Sequence, residues 1–518
     1  MQTADPQPVT ASDNLPTPWR QRALVPVLVY LGMVAAMVSS LGAPLVPRIA
    51  VVDHVSPATA QWSLTIALLV GAVATPTMGR LGDGPRRRAV TLGAVAVVCV
   101  GSVLAALPLG FGALLAGRAL QGVGLGLIPL AIATVRENLP AERSRSAVGI
   151  LSITLVAGVG LGYPVTGLLT QLFGLHAGFW LAAVVSALAL GAAALVLPPT
   201  RHLAPHPLDV LGAVLLGAAL AGVLLVLGEG ESWGWTSPRL LAVAVLSLVL
   251  LLWWILHELR CPHPLVELRL VRHPVVLTAD VIGLIAGLGM YLLVSLVTRY
   301  AQTPAAAGYG FGASVVVTGL ILLPFSAASV VSSRLAGLLA RRLSTKAVLP
   351  VGCAVSLAAM ACFGFARDSL WELFLAMGIA GLGVGCTFAA MPGLIVGAVP
   401  AHETGSAISF NQVLRCVGYS AGSALSATVL QAHTPAGRTL PSADGYGTAA
   451  LLGCVVWLVT IVVSVVLPAR SRTADGSGAE GQAFRAGEGA AVRTVPGDDT
   501  PAPAAGSARA VPEERRSP

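Results

Sequence analysis

The octapeptide Pro140-Ala-Glu-Arg-Ser-Arg-Ser-Ala147 returns 260 positions later as Pro400-Ala-His-Glu-Thr-Gly-Ser-Ala407. Pro, Ala, Ser and Ala occupy the same places in both copies. In the same register, Gly158 and Gly162 correspond to Gly418 and Gly422. This correspondence is the first sign that the chain contains two related halves.

Two earlier matches extend the repeat. The stretch Gly122-Val-Gly-Leu-Gly126 returns as Gly381-Leu-Gly-Val-Gly385. The stretch Gly79-Arg-Leu-Gly-Asp-Gly-Pro-Arg-Arg-Arg88 has a looser counterpart in Gly337-Leu-Leu-Ala-Arg-Arg-Leu-Ser-Thr-Lys346. All offsets lie between 258 and 260 residues. Matches that follow in order at one offset indicate an internal repeat.

The composition places this repeat in a membrane. Of the 518 residues, 55% are hydrophobic and 10% are charged, whereas soluble domains carry about 25% charged residues. This excludes a soluble enzyme, a coiled coil and a disulfide scaffold. Lys346 is the one lysine, and the Gly-Lys pair of a Walker A nucleotide site is absent from the sequence.

Fourteen apolar runs are long enough to predict membrane-spanning helices. The repeat offset corresponds to a shift of eight runs, so runs 1–6 match runs 9–14. The seventh and eighth runs are then a pair inserted between two halves of six. Both halves begin on the same side, which makes the repeat parallel, an architecture of secondary transporters. The runs are 23–47, 59–78, 89–110, 111–135, 146–172, 176–199, 210–228, 240–256, 274–298, 310–333, 347–366, 369–399, 404–432 and 445–469.

Loop charges predict the orientation. Fifteen basic residues fall in one set of alternating loops and five in the other. Because cytoplasmic loops are enriched in Lys and Arg, the first set and both termini are expected in the cytoplasm. The richer set is Arg80, Arg86, Arg87, Arg88, Arg136, Arg143, Arg145, Arg201, Arg260, Arg269, Arg272, Arg334, Arg341, Arg342 and Lys346.

The loop from Gly79 to Arg88 resembles the G-x-L-x-D-R-x-G-R-R signature of the major facilitator superfamily. It keeps Gly79, Asp83, Arg87 and Arg88, while Gly84 and Arg86 stand where the family usually has Arg and Gly. The resemblance implies a charge relay that latches one conformation through neighbouring helix ends. The alternative is an ordinary basic loop.

Two further motifs are similar to those of the family's 14-helix drug:proton antiporter branch. Arg118-Ala-Leu-Gln121-Gly122 resembles an R-x-x-Q-G pattern and implies a role in proton coupling or substrate contact; the alternative is an arginine that snorkels to the surface. Gly158, Gly162, Pro164 and Gly167 resemble an exporter motif, with Tyr163 as an extra residue. The alternative is ordinary helix packing.

Intramembrane charges are candidate functional residues. Asp280 is the carboxylate that we expect to carry protons, because burial disfavours the charged form of a carboxyl group. If its helix starts at Thr278, however, Asp280 lies in the first turn and touches water. Arg415 is deep enough to pair with it. Asn411, Arg415 and Tyr419 share one helix face and predict either a wet cavity wall or hydrogen bonds between helices.

These observations predict an all-α polytopic membrane protein with the major facilitator fold, in which 14 transmembrane helices are arranged 6+2+6 as parallel six-helix repeats. The expected segments are a cytoplasmic N-terminal tail (1–21), an N-terminal six-helix bundle (22–200), an inserted pair (201–260), a C-terminal bundle (261–469) and a disordered cytoplasmic tail (470–518).

The expected function is secondary active export of a drug, antibiotic or secondary metabolite across a bacterial cytoplasmic membrane, in exchange for protons, with antibiotic resistance as a consequence. An importer or uniporter on the same fold is the alternative, and a membrane-embedded enzyme a distant one. We expect a monomer that binds a small-molecule substrate, protons and the lipid bilayer, and no nucleic acid, metal or cofactor.

Overall fold

The computed structural model describes residues 18–41, 45–55, 57–82, 84–199, 209–271, 273–342, 347–400, 403–435 and 440–466. Both predicted tails lie almost wholly outside these ranges. The segment boundaries given above stay a prediction.

Fourteen long helices run through the described residues. Thirteen are long and apolar enough to cross a membrane, and the fourteenth, α5, has 33 residues. The predicted helix count is confirmed. The helices are α1 (Pro18–Ser40), α2 (Pro57–Gly82), α3 (Arg87–Ala106), α4 (Phe111–Asn138), α5 (Ala141–Phe173), α6 (Leu175–Val196), α7 (Val210–Trp233), α8 (Pro238–Arg260), α9 (Pro274–Gln302), α10 (Val315–Arg342), α11 (Val348–Phe365), α12 (Leu370–Ala398), α13 (Thr404–Ala432) and α14 (Ala443–Val466).

Several helix ends differ from the apolar runs. The first run ends as a helix at Ser40, and a separate short helix covers Val46–Val52. The eighth run grows from 17 to 23 residues. Ser237 as the cap and Pro238 at the first position start the helix two residues earlier, and its last four residues, 257–260, continue beyond the run. Helix α4 tightens into a 3₁₀ turn at Val123–Gly126.

The repeat is visible in how the helices pack. Helix α1 packs against α5 as α9 packs against α13, and α4 packs against α2 and α3 as α12 packs against α10 and α11. Between the halves, α2 contacts α13 and α5 contacts α10. Because α2 corresponds to α10 and α5 to α13, the repeat converts each of these two contacts into the other. Parallel repeats related by one axis require this symmetry.

The repeated glycines lie where paired helices approach most closely. A methyl group at Gly158 would stand 2.5 Å from the Ala36 side chain on α1. At Gly418, its counterpart, a methyl group would stand 2.2 Å from the Leu284 carbonyl oxygen on α9. Small residues at such crossings allow backbones to pack together without a hydrophobic driving force.

The inserted helices α7 and α8 pack against each other, and α7 also contacts α2 and α13. Trp254 of α8 stacks on Phe410 of α13, with ring centroids 6.3 Å apart. The inserted pair therefore lies beside the contact between the two halves.

The outer surface of α8 is apolar. Leu241, Val245, Leu248 and Leu252 are each more than half exposed. A continuous apolar surface of this kind is unstable in water but is expected against lipid. The molecule is therefore a multi-pass membrane protein.

Candidate functional site

Asp280 lies in the second turn of α9, since the helix begins at Pro274. The first-turn alternative is therefore wrong, because Pro274 supplies an earlier N1 position. Asp280 is 2% exposed. Asn411 Nδ2 donates to Asp280 Oδ1 at 3.0 Å and to the Ala279 carbonyl oxygen at 3.0 Å. The second carboxylate oxygen, Oδ2, is buried and has no hydrogen-bond partner.

A pocket about the size of one water molecule adjoins Asp280. It extends from Asp280 to Glu267 on the segment before α9, with Ser406 and Phe410 of α13 among its walls. Glu267 is therefore the polar neighbour of the Asp280 carboxylate across this pocket. It lies towards the end of the helix bundle that carries Arg80, Arg87 and Arg136, which we call the arginine-rich end.

Arg415 belongs to the same α9–α13 contact but does not pair with Asp280. Its aliphatic stem packs on Gly283, one turn along α9 from Asp280. The guanidinium lies 3.8 Å from the centre of the Phe388 ring, and Nη2 donates to the Tyr419 hydroxyl at 3.2 Å. Arg415 Nε is buried without a partner. The predicted proximity is observed, whereas an Asp280–Arg415 ion pair is absent from this conformation.

The predicted polar face of α13 is turned into the protein. Asn411 and Arg415 are 2% and 3% exposed. Tyr419 stacks on Tyr291 of α9, with ring centroids 5.0 Å apart. In this conformation Asn411 makes hydrogen bonds between helices α13 and α9, which is the second of the two predicted alternatives. Arg415, Tyr419 and Tyr291 form a layer between Asp280 and the end of the bundle opposite the arginine-rich end.

Arg118 joins four helices of the first half. Its side chain is fully buried. Nε donates to the Ser63 carbonyl oxygen at 3.0 Å, and Nη1 donates to the Val38 carbonyl oxygen at 2.9 Å and to Gln121 Oε1 at 2.7 Å. Gln121 Nε2 in turn donates to Ser102 Oγ at 3.0 Å. The guanidinium therefore does not snorkel to the surface in this conformation.

At the arginine-rich end, one ion pair joins the two halves. Arg80 Nη1 lies 2.9 Å from both carboxylate oxygens of Glu403, and the two side chains are 5% and 13% exposed. A methyl group at Gly79 would stand 2.0 Å from Ser409 Oγ and 2.8 Å from the Gly405 carbonyl oxygen. Helices α2 and α13 are thus in close contact here.

Arg136 of α4 provides a second connection to the other half. Nη2 donates to the Val399 carbonyl oxygen at 3.0 Å, and Nη1 donates to the Pro400 carbonyl oxygen at 3.3 Å and to Thr404 Oγ1. These acceptors lie where α12 ends and α13 begins. Helix C-termini expose carbonyl groups without intrahelical partners, so a cation is favoured there.

The other arginines of the predicted latch loop serve the first half. Arg87 is buried and donates to Glu137, to the Gly82 carbonyl oxygen and to the Ala133 carbonyl oxygen. Arg88 Nη2 donates to the Ala194 carbonyl oxygen at 2.8 Å, whereas Arg86 is exposed. Asp83 lies outside the described residues.

The partners of the predicted latch loop on the other half cannot be found from the sequence alone. The sequence shows Arg80 only as a loop charge and Glu403 only as one position of the repeat. The replacement of Arg143 by Glu403 between the two copies is the signal that points to a specific partner. Arg136 and Glu137 were missed because the apolar run of α4 ends before them.

The glycines and proline of the exporter-like motif lie within α5. Gly158, Gly162 and Gly167 are buried, and Pro164 is half-buried inside the helix. A proline there removes one backbone hydrogen bond and favours a bend. Helix α5 contacts both α1 and α10, so its shape affects the contact between the halves.

The sequence profile of the Major Facilitator Superfamily matches residues 28–212, 208–423 and 279–505. The chain belongs to the Major Facilitator Superfamily. This transporter is 28% identical over 430 residues to an uncharacterized MFS-type transporter of Mycobacterium tuberculosis, covering 82% of this chain. It spans 61% of that relative's length.

A second relative is the tetracenomycin C resistance and export protein of Streptomyces glaucescens, which is 30% identical over 417 residues. That match covers 79% of this transporter and 75% of the relative. A solved structure, the human organic anion transporter MFSD10 (TETRAN), has the same fold with a TM-score of 0.59 and 17% identity. It is matched over 86% of this transporter and 100% of that chain.

Proposed function

We propose that this transporter exports a drug, antibiotic or secondary metabolite across the bacterial cytoplasmic membrane in exchange for protons. Asp280 carries the proton, and Arg415 changes partner as the protein alternates between its two open states. The tails and the arginine-rich end face the cytoplasm. Antibiotic resistance is the expected consequence for the cell.

The observation that carries the proposal is the state of the Asp280 carboxylate. It is 2% exposed, one oxygen accepts from Asn411, and the other has no partner. A buried carboxylate without an ion-pair partner is costly when charged, so it readily binds a proton. Glu267 lines the same small pocket as Asp280, and we assign it as the next group on the proton's path to the arginine-rich end.

Arg415 is the group best placed to respond to the charge on Asp280. It packs one turn away on the same helix pair, and its Nε is buried without a hydrogen-bond partner. In this conformation the guanidinium lies on Phe388 and Tyr419, and we assign this arrangement to the protonated state of Asp280. Loss of the proton creates a negative charge that attracts Arg415 and disturbs the aromatic layer, which opens the path for substrate.

Export rather than uptake is supported by the relatives. The Streptomyces protein is named for resistance to and export of tetracenomycin C. Another relative, 26% identical over 383 residues, is a multidrug resistance protein B homolog of Mycobacterium tuberculosis. A buried arginine at the α9–α13 contact is suited to neutral or anionic substrates.

The proposal is tested in everted membrane vesicles with an imposed proton gradient and a panel of antibiotics and dyes. The intact protein is expected to dissipate the gradient when a substrate is added, whereas Asp280→Asn transports no protons, since an amide cannot exchange one. Glu142→Gln, which neutralises an exposed acid, is the matched control and is expected to behave as the intact protein does.

Other outcomes separate the alternatives. Gradient dissipation that survives Asp280→Asn would retain proton antiport but exclude Asp280 as the carrier. Substrate accumulation inside intact cells, without dissipation, would identify an importer or uniporter instead. Folding of each variant is checked by size-exclusion chromatography in detergent.

A further inference from the structure

A cluster of potential metal ligands lies at the arginine-rich end of the inserted helices. Asp209 caps α7, His257 lies in the last turn of α8, and Cys261 follows that helix directly. One carboxylate oxygen, one imidazole nitrogen and the sulfur of these residues all lie within 4.8 Å of one another. The distance from His257 Nε2 to Asp209 Oδ2 is 2.8 Å.

The start of α7 positions Asp209, and the end of α8 positions His257 and Cys261. Asp209 Oδ1 accepts from the Gly212 backbone N–H at 2.9 Å, so Oδ2 remains directed at His257. His257 and Cys261 are four positions apart at the end of a helix, a spacing that places their side chains on one face. Such outer contacts fix the orientation of a ligand before a metal binds.

Glu258 is a second acid beside this cluster. It is 4% exposed, and its carboxylate faces the Trp254 side chain and the backbone N–H groups of Leu265 and Val266. A methyl group at Gly212 would stand 2.3 Å from Asp209 Oδ2 and 3.0 Å from Glu258 Oε1. The two carboxylates are therefore close neighbours.

Two adjacent acids require a counter-charge. Among the ion pairs of the described residues, His257 with Asp209 is the one at this cluster. Burying an uncompensated carboxylate is strongly unfavourable, so two neighbouring acids favour a cation here. A divalent cation bound to Asp209, His257 and Cys261 would neutralise Asp209 and lie close to Glu258.

We propose that Asp209, His257 and Cys261 form a Zn²⁺ site that ties α7 to α8. Zn²⁺ accepts carboxylate oxygen, imidazole nitrogen and thiolate sulfur in one four-coordinate sphere, whereas Mg²⁺ and Ca²⁺ prefer oxygen ligands alone. Because its ligands come from both inserted helices, the site has a structural role. It stabilises the inserted pair where α7 contacts α2 and α13.

The sequence alone gave no indication of this site. Asp209 precedes His257 by 48 positions, and the cysteine has no partner in a C-x-x-C pattern. The apolar runs also end before His257, so the ligands read as separate loop residues. Only the packing of α7 on α8 brings them together.

The test uses the full-length protein, purified in detergent, stripped of metal with a chelator and titrated with Zn²⁺ alone. We expect one equivalent to bind and to raise the unfolding temperature. Titration with Co²⁺ is expected to produce the thiolate-to-metal charge-transfer absorption that requires a cysteine ligand. Cys261→Ser abolishes this absorption, and His257→Gln weakens Zn²⁺ binding by at least about 100-fold.

Matched controls are His433→Gln and Cys416→Ser, which leave the cluster intact and are expected to retain Zn²⁺ binding. Glu258→Gln keeps all three ligands and is expected to retain stoichiometric Zn²⁺ binding. Size-exclusion chromatography checks that Cys261→Ser and His257→Gln remain folded. The proposal is overturned if the folded intact protein binds no stoichiometric Zn²⁺. It is equally overturned if Cys261→Ser and His257→Gln bind Zn²⁺ as tightly as the two controls.

Discussion

At the scale of single residues, the buried charges fall into two kinds. The Arg118 guanidinium donates to two backbone carbonyl oxygens and to Gln121, so much of the cost of burying it is offset by fixed acceptors. Asp280 and Arg415 each retain a buried polar atom without a partner. We infer that Arg118 fixes the part of the first half farthest from the arginine-rich end, whereas Asp280 and Arg415 are free to change partners.

Arg118→Lys is therefore expected to destabilise the protein. An ammonium group cannot reproduce the planar fork that reaches Val38, Ser63 and Gln121 together. Loss of at least one hydrogen bond to a charged group costs about 1.5–3 kcal/mol. Thermal unfolding followed by size-exclusion chromatography measures the change. Arg143→Lys, at an exposed arginine, is the control; equal unfolding temperatures for both variants would contradict the structural role of Arg118.

At the scale of helices, close crossings are built from the repeat itself. Gly122 lies against the Ala67 carbonyl oxygen of α2, and Gly381 lies against the Phe325 carbonyl oxygen of α10. Gly158 and Gly418 have the same function at the crossings of α1 with α5 and α9 with α13. A side chain at these positions must separate two backbones, because a carbonyl oxygen cannot rotate aside as a side chain can.

Substitution of these glycines by alanine is expected to have graded effects on stability. Gly418→Ala places a methyl group 2.2 Å from a backbone oxygen, and Gly158→Ala places one 2.5 Å from a side-chain carbon. Gly418→Ala is therefore expected to be the more destabilising of the two. Its overpacking is expected to lower the free energy of unfolding by about 1–3 kcal/mol.

Gly393→Ala is the matched control, because no atom lies within 4 Å of the added methyl group. It is expected to be neutral or to stabilise α12 by about 0.5–1 kcal/mol, since alanine favours helices. Unfolding temperatures in detergent report all three variants. A larger loss of stability for Gly393→Ala than for Gly418→Ala would show that close helix packing is not the reason for glycine at the repeated positions.

The sequence predicted the helices well because each requires about 20 apolar residues and the repeat sets their correspondence. It located helix ends poorly, because the last turn of α8 and the first turn of α5 are polar and project beyond the apolar runs. It did not identify the Arg80–Glu403 pair, whose members are 323 positions apart. Residue type predicts that a buried charge has a partner, but only tertiary packing decides which partner.

At the scale of the whole molecule, the two contacts between the halves are related by the repeat but differ in chemistry. At the α2–α13 contact, Gly79 lies against Ser409 and Arg80 pairs with Glu403. Gly337, the counterpart of Gly79 on α10, has no atom within 4 Å of an added methyl group. At the arginine-rich end, the close backbone approach marked by Gly79 and the Arg80–Glu403 ion pair therefore belong to the α2–α13 contact, and Gly337 marks no such approach on α10.

Glu403→Gln is expected to shift the protein towards a state open at the arginine-rich end. Removing one partner of a largely buried ion pair costs about 3–5 kcal/mol, and about 1.4 kcal/mol corresponds to a tenfold change in an equilibrium constant. If even a third of this cost falls on the closed state alone, that state loses about tenfold in relative population.

Labelling of a cysteine introduced as Ser409→Cys measures this shift, because Ser409 is fully buried against Gly79. Purified protein is treated with a maleimide, and peptide mass spectrometry separates residue 409 from the seven native cysteines. Labelling is expected to be about tenfold faster with Glu403→Gln and unchanged with Glu142→Gln. The exchanged pair Arg80→Glu with Glu403→Arg restores slow labelling, since the attraction between the halves is retained. Equal labelling rates with and without Glu403→Gln would mean that this ion pair does not hold the two halves together.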